Sequence, residues 1–191
     1  MLSLGATNSA SIVQAIRRAG GDSYLIERSQ QLTDVESLVI PGVANVRFLL
    51  SALDERSLRI PILRVIDGGI PVLGICAGFQ ALFHRSDEAP LVKGLGVFDG
   101  VVIQLRGPKS PHTGWNWVES VCSSIECGWA YFAHSFAPPA QSPQTIATTE
   151  HGVLFTSIAR RGNVLGVQFH PERSGRYGAQ FLENFIAMCT G

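Results

Sequence analysis

The sequence predicts an α/β fold: a central, mostly parallel, twisted sheet flanked by helices, with additional antiparallel strands in the second half. Two patterns carry this reading. In the first half, apolar strand-like runs alternate with segments of helical period, the arrangement that builds parallel sheets covered by helices on both faces. In the second half, six strand-like runs follow one another across short polar or Gly-bearing breaks, which suits antiparallel strands appended to that sheet. The 191 residues are read as one domain, 1–191, long enough to bury a full core.

The elements follow in chain order. "MLSLGATN" is a short apolar strand ending at Gly5 and a loop. "SASIVQAIRRAGG" places Ile12, Val13, Ile16 and Ala19 on one helical face, with Ser9 or Ser11 to cap its start and Gly20-Gly21 to end it. "DSYLIERS" and "VESLVIPGVAN" are strands, the latter stopped by Pro41-Gly42. "VRFLLSALDERSL" and "PILRVIDGG" are helical, "IPVLGI" is a buried strand, and "AGFQALFHR" is a helix after it. Then come the strand-like runs "GVFDGVVIQLR", "TGWNWVES", "WAYFAHSF", "QTIATTE", "GVLFTSIAR" and "VLGVQFH". A closing helix, "GRYGAQFLENFIAMCTG", gathers Phe181, Leu182, Phe185, Ile186 and Cys189 on one face.

Composition narrows the function. Fifteen Lys plus Arg balance fifteen Asp plus Glu, which argues against a general nucleic-acid surface. No apolar run is long enough to span a membrane, and the first residues lack the pattern of a signal peptide. Four cysteines make no disulfide framework, so the expectation is a cytoplasmic protein with reduced thiols. Cys122 and Cys127 are spaced too widely for the common C-x₂-C pair and have no matched second pair, so no zinc site is expected, and the expectation is of no metal and no cofactor. Cys189 reads as helix core, and His84 and His151 as surface residues.

Three stretches carry chemistry. Gly74-Ile75-Cys76-Ala77-Gly78 has the form G-x-C-x-G, the thiol analogue of a nucleophile elbow. There a strand turns abruptly into a helix, the central residue takes strained backbone geometry, and flanking glycines remove side chains that would collide. A helix N-terminus beneath the sulfur favours a thiolate. On its own the cysteine is equally well read as a small buried packing residue. In "VLGVQFHPERS", His170 is a base for a thiol and Glu172 a carboxylate to orient its ring, past the stiffening Pro171. The alternative is a surface His and Glu in a loop. Pro41-Gly42-Val43-Ala44 follows a strand on the ligand side of such sheets. Its backbone N–H groups and that of Ala77 suit an oxyanion hole, although a plain Pro-Gly turn looks the same.

Together these pieces resemble the class I, triad-type glutamine amidotransferases, which carry a P-G-x-x turn, a G-x-C-x-G-x-Q elbow and an H-P-E sequence in this order. The segments "GICAGFQALFHRSDEAPLVKGLGVFDG", "PHTGWNWV", "YFAHSF" and "GVQFHPERSGRYGAQFLENF" are most similar to the branch that supplies ammonia in histidine biosynthesis. The resemblance covers almost the whole chain. It implies Cys76 as nucleophile, His170 as acid/base and Glu172 as orienter, with the Val43 and Ala77 N–H groups as the oxyanion hole. It implies glutamine held by Gly42, Gln80, Glu88 and the backbone around Ser135 and Phe136. It also implies a (β/α)₈-barrel cyclase subunit as heterodimer partner, docked on a segment containing His112, Trp115 and Asn116, with Trp117 beside them. Read from residue type alone, Trp115 and Trp117 fit a core as well as an interface. His134 reads as support for the pocket.

The chain departs from the family pattern in places: in a loop that is Gly-rich in the family Thr7 replaces a glycine and only Asn8 still matches, Thr113 replaces a methionine, Phe136 a tyrosine, and Ala77 a bulkier residue. Rival readings are a paralogous subunit that supplies ammonia for amination of surface-polysaccharide sugars, a catalytically silent scaffold, and a thiol hydrolase of another amide. The intact Cys76, His170 and Glu172 argue against the scaffold. Gln80 and Glu88 favour free glutamine over other amides.

Overall fold

The structure, a computed structural model, describes all residues except 6–8, 43, 108, 124 and 191. The first and third expected strands differ in what they become. Leu2 is wholly buried but forms a single parallel bridge to Ile26, and its N–H donates to the Val39 carbonyl at 2.9 Å. The segments expected as the first two strands thus flank the sheet through isolated contacts. The third becomes β1 (Leu38–Ile40).

Helix α1 (Ser9–Arg18) precedes β1, and α2 (Val46–Glu55) and α3 (Arg59–Asp67) follow it. Asn45 caps α2 by accepting from the Phe48 N–H at 2.8 Å. Pro61 lies in the first turn of α3, where a missing N–H costs no helical hydrogen bond. Strand β2 (Val72–Ile75) then runs into α4 (Ala77–Ala81). The sequence predicts that helix to continue through "LFHR", yet Phe83–Ser86 is a strand, β3. Pairing with β4 (Phe98–Gln104) overrides helical propensity here: the Leu82 carbonyl accepts from Val97 and Phe98, and Phe79, Phe83 and Phe98 close into one aromatic cluster.

The remaining strands are β5 (His112–Ser120), β6 (Gly128–His134), β7 (Phe136–Ala137), β8 (Thr145–Glu150), β9 (Leu154–Arg161) and β10 (Val164–Val167). The long helix α5 (Gly175–Thr190) closes the chain. A seven-stranded sheet has the order β1-β2-β10-β9-β8-β5-β6, and a small second sheet the order β3-β4-β7. Only β1, β2 and β10 pair in parallel in the large sheet; β9, β8, β5 and β6 extend it antiparallel. The expected antiparallel addition is therefore the larger part.

Side chains alternate across the parallel strands. Leu38, Ile40 and Val72 face a core with α2, α3 and α4. Val39, Leu73, Ile75, Leu165 and Val167 face another, with Ile12 and Ile16 of α1 and Phe181, Leu182 and Phe185 of α5. On the α4 side, Gly74 lies directly beside Gly166 in register. A methyl group on Gly166 would sit 2.0 Å from the Phe79 ring, and one on Gly74 2.9 Å from the Phe79 backbone. Gly78 answers from the helix: its Cβ would lie 2.1 Å from the Ile40 carbonyl oxygen. These glycines let α4 lie almost on the sheet backbone.

Gly78→Ala is expected to cost about 3 kcal/mol, the upper end for overpacking against backbone that cannot yield. Urea denaturation checks it; a loss below about 0.5 kcal/mol, the range of inert surface changes, would mean the helix is not held this close.

Candidate active site

Three chain ends meet at the carboxyl edge of the parallel strands, where ligands bind in open α/β sheets. Gly42 follows β1, Cys76 follows β2, and His170 follows β10. The backbone of Cys76 has φ 50° and ψ −109°, a region that a residue with a side chain adopts only when its surroundings force it. Two backbone hydrogen bonds do so: the Cys76 N–H donates to the Val167 carbonyl at 2.7 Å, and its own carbonyl accepts from Gln80 N–H at 3.0 Å. A methyl group on Gly42 would lie 3.2 Å from Cys76 Cβ and 3.4 Å from His170 Cε1, so the turn after β1 is packed against the pair.

Cys76 is more enclosed than an elbow on an open sheet predicts, only 7% exposed. Its sulfur lies 4.0 Å from the Ala133 carbonyl and 3.7 Å from the Gln168 side-chain nitrogen, and His170 is near enough for the sulfur to favour its protonated form. His170 Nδ1–H donates to Glu172 Oε1 at 2.9 Å, leaving the other ring nitrogen for Cys76. The Glu172 side chain is almost fully buried. Burial alone would lower the pKa of His170, but Cys76 and Glu172 outweigh it and push the imidazole up to about 10. The short turn Pro171–Arg173 is pinned to β6: His170 N–H donates to the Tyr131 carbonyl, Ser174 Oγ–H to the His170 carbonyl, and Arg173 stacks on the Tyr131 ring.

Gln80, one turn along α4, is buried beneath the site. Its side-chain NH₂ donates to the Phe136 carbonyl at 2.7 Å and to Gln168 Oε1 at 3.1 Å. It thereby ties the Ser135–Phe136 segment to the floor of the cysteine site. The Ser135 carbonyl accepts from the Leu105 N–H. Glu88 Oε2 accepts from the Val46 N–H at 2.9 Å, clamping the start of α2 directly after its Asn45 cap. Ala77 is the first residue of α4. Val43 lies outside the described residues, as do Thr7 and Asn8.

The expected docking residues separate in depth. Trp115 and Trp117 are 55% and 40% exposed, so neither is core. They face Tyr131 and Trp129 across the β5–β6 ladder. Asn116 is half-buried between them. His112 corrects the expectation: it is buried, because its ring lies flat between Phe132 and His151 and so presents nothing to a partner. His151 is half-buried rather than a surface residue. His112 Nδ1 lies 3.1 Å from His134 Nε2, and His134 Nδ1–H donates to the Phe136 carbonyl at 2.9 Å. Burial foremost, then neighbouring imidazoles, push His112 down to about 4 and His134 to about 3, so both are neutral near pH 7.

Sequence reasoning missed Gln168 and Ser174. Gln168 is the one amide inside the apolar run "VLGVQF" and is wholly buried. A buried amide needs partners, which is the signal that was available.

Residues 2–189 match the family model described as Glutamine amidotransferase class-I. The chain is 39% identical to the imidazole glycerol phosphate synthase subunit HisH of Thermococcus kodakarensis, over 97% of each chain. It is 37% identical to the subunit of the same name from Deinococcus radiodurans, over 97% of this chain and 91% of the relative. Among solved structures, a crystal structure of a glutamine amidotransferase superposes with a TM-score of 0.83, covering 100% of this chain and 98% of that one at 16% identity, a likeness of fold.

The two lowered imidazoles make an acid-side prediction. Below an ordinary histidine pKa of about 6.5 the unfolded chain binds protons that native His112 and His134 refuse. Their contribution is therefore intact above pH 6.5 and lost progressively as pH falls, down to about 4 for His112 and about 3 for His134. Chemical denaturation at pH 7, 5.5 and 4.5 should show this loss, and a His134→Asn variant a shallower one. An unchanged slope in the variant would refute the assignment.

Proposed function

The chain belongs to the class-I glutamine amidotransferases, and on that premise we propose that it is the glutaminase subunit of imidazole glycerol phosphate synthase. In this role it hydrolyses glutamine to glutamate and passes the ammonia to a (β/α)₈-barrel cyclase subunit in histidine biosynthesis. The observation that carries the chemistry is the 2.9 Å bond from His170 to the buried Glu172, with the His170 ring and Cys76 both packed against the Gly42 turn at the carboxyl edge of β2 and β10. Support for the pathway comes from the relatives' names and from their near-complete overlap with this chain.

The reaction follows from the positions. Cys76 sulfur attacks the side-chain amide carbon of glutamine, with His170 taking up or already holding the thiol proton. Negative charge develops on the amide oxygen, for which the Ala77 N–H and the turn after Gly42 are the proposed donors. His170 then gives its proton to the departing nitrogen, ammonia leaves, and a γ-glutamyl thioester remains. Water, losing a proton to His170, attacks the thioester; glutamate and the free thiol result. Glu172 fixes the ring plane and stabilises the imidazolium throughout.

Glutamine's α-end is assigned to Gln80, Glu88 and the Ser135–Phe136 backbone. A carboxylate at Glu88 suits an α-ammonium, and its bond to Val46 joins that contact to the helix behind the oxyanion turn. Gln80 acts partly through Phe136, whose carbonyl it holds. The partner is proposed to cover the exposed Trp115 and Trp117, and so to receive ammonia before it reaches bulk water and protonates.

Glutamate release from glutamine, with the cyclase subunit and its ligand present, tests the reading. Wild type is expected to be weak alone and stimulated by the partner. Cys76→Ala should abolish release, and Glu172→Gln should lower kcat by about 100-fold or more, since a mispositioned base is nearly as damaging as a missing one. Release that survives Cys76→Ala would overturn the mechanism.

A further inference from the structure

Between the exposed tryptophans and the cysteine runs a continuous chain of hydrogen-bonded polar groups, and its middle members, His112 and His134, have no part in the mechanism above. It starts at Asn116. The Asn116 side-chain oxygen accepts from the Trp117 N–H at 2.8 Å, and its NH₂ donates to the Glu150 carbonyl at 2.8 Å. Those two bonds fix the orientation of the amide, because a flip would set donor against donor and acceptor against acceptor. The same NH₂ meets His112 Nε2 at 3.2 Å, so that nitrogen must accept and the His112 proton must sit on Nδ1.

The consequence propagates. His112 Nδ1–H donates to His134 Nε2 at 3.1 Å, which places the His134 proton on its own Nδ1. That proton is donated to the Phe136 carbonyl at 2.9 Å. The same carbonyl accepts from Gln80, whose NH₂ reaches Gln168, and Gln168 reaches the Cys76 sulfur. Neither imidazole has a second tautomer compatible with its neighbours: reversing one ring sets two N–H groups or two lone pairs face to face.

We propose that His112 and His134 are positioning residues: as neutral Nδ1–H tautomers they form a one-way hydrogen-bond relay from Asn116, in the Trp-bearing strand, to the Phe136 carbonyl on the cysteine pocket. For its functional consequence this rests on the glutaminase reading; the tautomers do not. The relay gives the Phe136 carbonyl its second donor and so fixes the segment assigned to the glutamine α-end. It also gives a movement of β5 at Asn116, such as docking would cause, a polar route to that segment. Ordinary buried histidines would need partners, but they would not need this direction.

Two measurements test it. Long-range proton–nitrogen NMR spectra of histidine-labelled full-length chain report each tautomer, with His112→Asn and His134→Asn used to assign the signals. Nδ1–H is expected for both rings, and Nε2–H at either overturns the relay. Kinetics with the cyclase subunit then test its effect. His134→Phe keeps a flat ring among Phe132 and Phe155 but carries no nitrogen. It should raise KM for glutamine about 10-fold, the scale of one hydrogen bond, with kcat changed less than about 3-fold. His134→Asn, which restores a donor at the Nδ1 position, should recover most of that KM. Equal KM in the two variants, or a fall in Tm with KM unmoved, would make the histidines structural only and overturn the proposal. Failure of the glutaminase reading is distinguishable: the wild-type complex would then release no glutamate while the tautomers stayed as stated.

Discussion

The site depends on how closely one short helix approaches the sheet. α4 has five residues, too few to be stable alone, and its position is set by contact. Gly78 over the Ile40 carbonyl, Gly74 under Phe79 and Gly166 against the Phe79 ring each leave out a Cβ that would hold the two apart. With α4 this low, the chain between β2 and α4 must turn within one residue. Cys76 is that residue, and its positive φ is the geometric result. The strain is held by the backbone bonds to Val167 and Gln80 and by the aromatic cluster that fastens Phe79 from below.

Burial then acts on three histidines in the same direction and ends in opposite outcomes. His170, His112 and His134 are all shielded from water, which disfavours the charged form. His170 has a sulfur on one side and a buried carboxylate on the other, so it keeps its proton. His112 and His134 have each other, an amide and a carbonyl, so they stay neutral and donate in one direction. One protein thus keeps a proton-carrying imidazole close to a proton-refusing one, which the neighbours decide and the residue type does not.

Much of this was legible in the sequence. The G-x-C-x-G spacing foretold the elbow because the steric demand is local, and H-P-E foretold the His170–Glu172 bond because two residues across a proline can hardly avoid each other. What escaped was non-local. Gly166 lies 92 positions from Gly74 in the chain, and only the β2–β10 register makes them neighbours. Helical period in "LFHR" was outvoted by pairing with β4, which no local pattern announces. His112 was expected at the partner interface from the motif around it; strand alternation beside exposed Thr113 and Trp115 turns it inward.

That alternation has a further consequence. On β5 the outward positions carry Trp115 and Trp117, while the inward position of His112 feeds the pocket. His112 and Trp115 stand three residues apart on one strand, both paired in register with β6, so a shift of β5 at its tryptophans shifts His112 as well or bends the ladder. The antiparallel partner β6 runs beside it and supplies the Ala133 carbonyl near the sulfur and the Tyr131 carbonyl that holds His170. The strand beside the exposed aromatic face thus touches both members of the Cys76–His170 pair. The added antiparallel strands are thus more than an extension of the sheet: they support the histidine and connect it to the outer face.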